Sequence, residues 1–127
     1  MKLLLLLAGL FTLSVSADKC GKKETTSTGM RLKAKLETKA LCMNYTLRLV
    51  EGKADTSLIV SSWTNESTGK QYKNVFGLAN PCDFPESINE GDEFYFTIDT
   101  ARKKDCMVCM AYYPTPPKKL TIKVIPQ

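Results

Sequence analysis

Met30, Leu32, Ala34 and Leu36 alternate with Arg31, Lys33, Lys35 and Glu37, the two-residue period of a strand with one buried face. Leu41, Met43, Tyr45, Leu47 and Leu49 repeat the pattern against Cys42, Asn44, Thr46 and Arg48. The first run is built from good helix formers, but its period is that of a strand. Turn chemistry then recurs at short intervals. Glu51-Gly52-Lys53 precedes the run 58–63, residues 65–69 precede 71–78, and Asn89-Glu90-Gly91-Asp92 precedes 94–100. Residues 105–113 and 120–125 add two more β-type runs, divided by Pro114-Thr115-Pro116-Pro117. Those prolines cannot donate to a ladder and mark a corner. Only residues 84–89 read as a turn of helix. The expected fold is all-β, a small antiparallel sandwich or barrel of about seven strands. Alternation assigns Phe94, Phe96 and Ile98 to its core and Tyr95 and Thr97 to the opposite face.

Residues 1–17 read as a cleaved secretory signal peptide: one lysine, the apolar run 3–13, then Val15-Ser16-Ala17. The run falls well short of the about 20 residues of a spanning helix, and no later transmembrane segment or lipid anchor is read. The expected organisation is a signal peptide over 1–17, an extended polar arm over 18–29, and one β-rich domain over 30–127. The expected location is secreted and extracellular.

Export makes the five cysteines a disulfide problem with an odd member. If 105–113 is a strand, Cys106 and Cys109 point to opposite faces and bond to separate partners. Cys20, Cys82, Cys106 and Cys109 are then the expected half-cystines. Cys42, on the outward side of its strand, is the expected free or intermolecular thiol. Cys106-Met107-Val108-Cys109 is formally C-x-x-C, but its surroundings read as a strand entering a core rather than the helix N-terminus of a redox site.

The chain has no histidine, which removes imidazole-based catalytic arrangements and histidine zinc sites. No catalytic constellation stands out, and the chain is read as a non-enzyme without cofactor or metal. The acids between Asp83 and Asp99 lack the spacing of a helix-loop-helix calcium loop. The formal charge of +5 falls to +4 once Lys2 leaves with the signal. Residues 19–39 and 102–123 are basic, and residues 74–101 contain no lysine or arginine. Solvated strand faces account for this, and a basic face for sulfated glycan or an anionic surface is the sharper reading. No nucleic-acid partner is expected.

Two sequons, Asn44-Tyr45-Thr46 and Asn65-Glu66-Ser67, are candidate glycosylation sites in a eukaryotic secretory pathway. Asn65, in an expected hairpin turn, is the more accessible of the two on this reading. Tyr112 and Tyr113, beside the proline corner and followed by Lys118 and Lys119, form a candidate contact epitope.

The layout from Cys20 to Cys109, an early cysteine with later ones pinning strands, resembles the netrin-type modules of metalloproteinase inhibitors. Those modules chelate the protease zinc with a cysteine as first mature residue. Here Asp18 and Lys19 precede Cys20, so the resemblance extends to layout and not to that mechanism. The early Gly-x-Trp of lipocalin-like carriers is missing, Trp63 being the only tryptophan. The reading that follows is a secreted binding module that recognises an extracellular protein as an inhibitor, effector or toxin-like domain. The alternatives are a small barrel carrying an apolar ligand in a cavity lined by Met43, Tyr45, Phe94 and Phe96, and a structural or matrix protein cross-linked through its spare cysteine.

Overall fold

The computed structural model describes residues 29–99 and 107–127. The described residues form seven strands: β1 (Leu32–Lys39), β2 (Tyr45–Glu51), β3 (Val60–Thr64), β4 (Gln71–Leu78), β5 (Glu93–Ile98), β6 (Lys119–Leu120) and β7 (Ile122–Val124). They build one sheet in the order β3-β4-β2-β1-β5-β7, with β6 on β4. The fold is all-β as expected, and the sheet is not closed into a barrel. Every pairing is antiparallel except β4 with β6, which is parallel.

The sheet wraps one core. Leu32, Ala34 and Leu36 from β1 meet Leu47 from β2, Phe76 and Leu78 from β4, Phe94 and Phe96 from β5, and Leu120 and Ile122 from the last two strands. The two-residue period of β1 and β5 is thus realised as burial on one face. Aromatic rings fill the centre, with Phe76 and Phe96 centroids 5.7 Å apart and Phe84 edge-on to Phe94 at 5.4 Å. At the end of β2, Gly52 has φ of 94°, and a Cβ there would lie 2.5 Å from Leu32 Cδ2. Only glycine fits that turn.

Several expected elements differ. Residues 107–113 form no strand; they cross the surface in irregular conformation. The 41–49 run starts with a 3-10 turn over Leu41–Met43, so β2 begins at Tyr45. Residues 84–89 form no helix but hold one hydrogen-bonded turn, Ile88 N–H donating to Pro85 O at 3.3 Å, and a 3-10 turn at Pro81–Asp83 precedes it. The 58–63 run is shortened to β3 because residues 56–58 turn, held by the Asp55 carboxylate on Ser57 N–H at 2.9 Å.

The 120–125 run is one stretch in sequence but divides between two neighbours. Gly77 N–H donates to Lys118 O and Ala79 N–H to Leu120 O, each at 2.8 Å. One residue on, Asp99 N–H donates to Thr121 O at 2.9 Å, and Ile125 N–H donates to Tyr95 O at 2.8 Å. At the crossing, the buried Asn80 amide does what a strand peptide would do. Its Nδ2 donates to Ile122 O at 2.7 Å and its Oδ1 accepts Ile122 N–H at 3.0 Å. Replacing Asn80 by alanine strips a buried donor and a buried acceptor of their partners, so Asn80→Ala should cost about 3 kcal/mol in urea unfolding. A loss below about 1 kcal/mol would show that the backbone makes this crossing unaided.

Candidate functional site

Cys42 is not a free thiol: it is bonded to Cys109, with Cα atoms 4.9 Å apart. The expectation failed because it assumed a strand. Cys42 and Met43 instead hold φ of 56° and 58°, the left-handed region that costs a residue with a Cβ. Two such residues reverse the chain between β1 and β2 and turn the Cys42 side chain toward residues 107–110. Cys82 is disulfide-bonded as well, so no described cysteine is a free thiol. Cys20 and Cys106 lie outside the described residues.

Around this bridge the surface is apolar. Met107 is 99% exposed, Met110 97%, Tyr112 78% and Leu41 55%, with Val108 exposed to a lesser degree. A shallow hollow of about 540 Å³ separates Leu41, Met43 and Tyr45 from Met107 and Val108. The side chains on its two sides are held in register by the Cys42–Cys109 bond.

The segment leading away from this rim is tied down by hydroxyls. Tyr112 donates to Glu66 Oε1 at 2.7 Å, which raises the Tyr112 pKa above the usual tyrosine range. Asn65 Nδ2 donates to the Tyr113 hydroxyl at 3.2 Å. Pro116 is fully buried over β4, where a Cβ on Gly77 would come within 3.4 Å of Pro116 O. Lys118 Nζ donates to the carbonyls of Thr56 and Ile59 at 3.2 and 3.4 Å. The expected epitope is therefore in large part a clamp. Tyr113 is half-buried and Lys118 engaged, while Lys119 and the ring of Tyr112 face solvent.

The two sequon asparagines differ in accessibility in the opposite sense to that expected. Asn65 is 1% exposed. Its Oδ1 accepts Ser67 N–H at 2.9 Å and its own carbonyl accepts Gly69 N–H at 2.7 Å. The N-x-S pattern here is an Asx turn that closes the β3–β4 hairpin. Asn44 is half-buried, with Nδ2 donating to Leu41 O at 3.0 Å and Ala111 O at 3.1 Å.

The basic and acidic blocks of the sequence meet across the sheet. Lys33 reaches Glu93 at 3.2 Å and Glu51 at 3.7 Å, and its pKa is raised, foremost by the bond to Glu93. Arg48 Nε bonds Glu37 at 2.8 Å, and the Arg31 guanidinium lies 3.8 Å over the Tyr95 ring. Glu90 and Asp92 accept the backbone N–H groups of Lys39 and Asn89 at 2.7 and 2.9 Å. Among the described residues Lys33 and Arg48 are thus paired with carboxylates, while Lys19, Lys22, Lys23, Arg102, Lys103 and Lys104 of the basic stretches lie outside them. Among the described residues, no three His, Cys, Asp or Glu side chains converge as metal ligands, and no helix is long and apolar enough to cross a membrane.

No protein-family model, curated protein or solved structure matches this chain.

The apolar rim is what sequence reasoning missed. Met107, Val108, Cys109, Met110 and Ala111 form a contiguous run with no charged or hydrogen-bonding side chain alternating within it. That broken period was the available sign that they do not sit half-buried on a strand.

Two outcomes follow from this geometry. The bridge spans 67 residues, so Cys42→Ala with Cys109→Ala should lower stability in urea by about 4 kcal/mol through restored chain entropy in the unfolded state. The Tyr112–Glu66 contact stabilises the neutral phenol, so its contribution is present below the ordinary tyrosine pKa of about 10 and is lost as pH rises through that pKa toward the raised folded value. Burial raises the Tyr45 pKa as well, so ultraviolet titration should show two late-ionising tyrosines, of which one moves to lower pH in Glu66→Gln; an unchanged profile would show that the Tyr112 bond does not persist in solution.

Proposed function

We propose that this chain is an exported binding module, without catalytic function, that recognises an extracellular protein through the apolar rim around Cys42–Cys109. The observation that carries the reading is the near-complete exposure of Met107 and Met110 beside Leu41 and Tyr112. Soluble proteins seldom expose contiguous large apolar side chains unless a partner covers them. Methionine and tyrosine are enriched in interface cores, and methionine adapts its shape to the surface it meets. The bridge and the two tyrosine hydroxyl bonds limit the freedom these side chains would lose on binding. The disulfide also fits an oxidising compartment, in line with the signal peptide read over residues 1–17.

The alternatives have less support. A ligand-carrying barrel needs an open interior, whereas Tyr45, Phe84, Phe94 and Phe96 are in ring contact with one another. A matrix role through Cys42 loses its cross-linking thiol to Cys109. Recognition of sulfated glycans is weakened by the pairing of Lys33 and Arg48 with carboxylates.

Substituting both exposed methionines with glutamate separates recognition from folding. Met107→Glu with Met110→Glu should leave the melting temperature within about 2 °C of wild type, since exposed substitutions away from special features change stability little. Proteins captured by the immobilised wild-type chain from its native extracellular fluid should fall at least about tenfold with the variant. Equal capture by both chains would show that the rim is not the recognition surface.

A further inference from the structure

Thr46 is fully buried, and its Oγ1 has no hydrogen-bond partner among the described residues. No other side-chain nitrogen or oxygen is left so among them. A buried hydroxyl without a partner costs folding free energy, and valine would fill the same volume without that cost. Thr46 pairs with Gly77 across the β2–β4 ladder, at the position over which Pro116 lies. Nothing among the described residues uses the hydroxyl. The sequence does offer it a use, as the third residue of Asn44-Tyr45-Thr46, where a hydroxyl is what makes the asparagine a glycosylation acceptor.

The other sequon is fully explained by structure. Asn65 is enclosed, its amide oxygen forms the Asx turn and its amide nitrogen holds Tyr113. A sugar on Asn65 Nδ2 would have to displace Tyr113 and the clamp with it. Asn44 differs on both counts. Its two amide hydrogens go to Leu41 O and Ala111 O, both bonds lying in exposed surroundings. A glycosylated amide keeps one hydrogen for Leu41 O, and the exposed Ala111 carbonyl turns to water.

We propose that Asn44, and not Asn65, is the N-glycosylation site of this chain, and that Thr46 serves that modification rather than the fold. The proposal rests on the export reading and not on the rim. In the transfer, a bond forms between Asn44 Nδ2 and C1 of the sugar as the C1–O bond to a lipid-linked pyrophosphate donor breaks. The lipid pyrophosphate leaves with the electron pair, and one Nδ2 proton is lost to base. The glycan then stands beside Leu41 and Ala111 at one border of the apolar rim, leaving the Met107 and Met110 side for a partner's approach.

The test uses the full chain expressed in cultured eukaryotic secretory cells, with the secreted protein mapped by peptide mass spectrometry. The expected result is a glycan on Asn44, none on Asn65, and loss of the glycan in Thr46→Val. With glycan assembly blocked for both proteins, Thr46→Val should melt about 4 °C higher than wild type, the shift for removing one buried unpaired group. Absence of the chain from the medium, an unmodified Asn44, a glycan on Asn65, or a Thr46→Val protein that melts no higher would each overturn the proposal. Absence from the medium would tell against export, which both readings share; the glycan and melting outcomes do not depend on a binding partner, so their failure is distinguishable from failure of the recognition reading.

Discussion

The two-way bond between the Asn80 side chain and the Ile122 main chain is where this fold is completed. β4 and β5 lie on opposite sides of the β2–β1 pair, and among the described residues the C-terminal segment is the one that is hydrogen-bonded to both. The segment does not ladder to both along its whole length: it pairs with β4 through β6 and with β5 through β7. The peptide groups at the changeover would be buried without ladder partners, a cost that native structures rarely leave standing. Asn80 supplies one donor and one acceptor in peptide-like geometry. With it, Leu120 and Ile122 can point into the core on either side of the crossing.

The same crossing fixes what lies upstream. Because Lys118 O and Leu120 O are bonded to β4, the prolines before them must lie across β4, and Gly77 leaves room for Pro116 there. Tyr113 then meets Asn65 and Tyr112 meets Glu66 on the β3–β4 hairpin. The Cys42–Cys109 bond anchors the segment to the β1–β2 turn. Residues 107–118 thus have defined positions without belonging to a strand, since side chains and a disulfide take over the role of a ladder.

The parts of the fold legible in the sequence are those where one interaction dominates. Strands β1 and β5 were legible because burial of one face imposes a period of two on consecutive residues. The Asn65 and Asn89 turns were legible from local hydrogen-bonding chemistry. Cys42 was misread because alternation continues through it while the backbone does not, and a left-handed pair at Cys42 and Met43 has no residue signature of the kind glycine gives. The parallel β4–β6 pairing and the role of Asn80 depend on contacts 42 residues apart, which no local pattern encodes. Asn65 shows a further limit: one triplet spells an Asx turn and a glycosylation signal alike, and the sequence alone does not reveal that this asparagine is buried in the turn.

The rim departs from what a domain of this size ordinarily does with its apolar side chains. Burying a methionine or leucine is worth about 1.5–3 kcal/mol, so leaving Leu41, Met107, Val108 and Met110 exposed forgoes an amount comparable to the net stability of a small domain, about 5–15 kcal/mol. A free segment of that composition would collapse onto the nearest apolar surface. Here the backbone is held away from the core at Cys109 by the bridge and at Tyr112 and Tyr113 by their hydroxyls. The bridge offsets part of the loss by restricting the unfolded chain. Exposure of these residues is therefore a consequence of how the segment is anchored, and it would persist in the free protein until a complementary surface removed them from water.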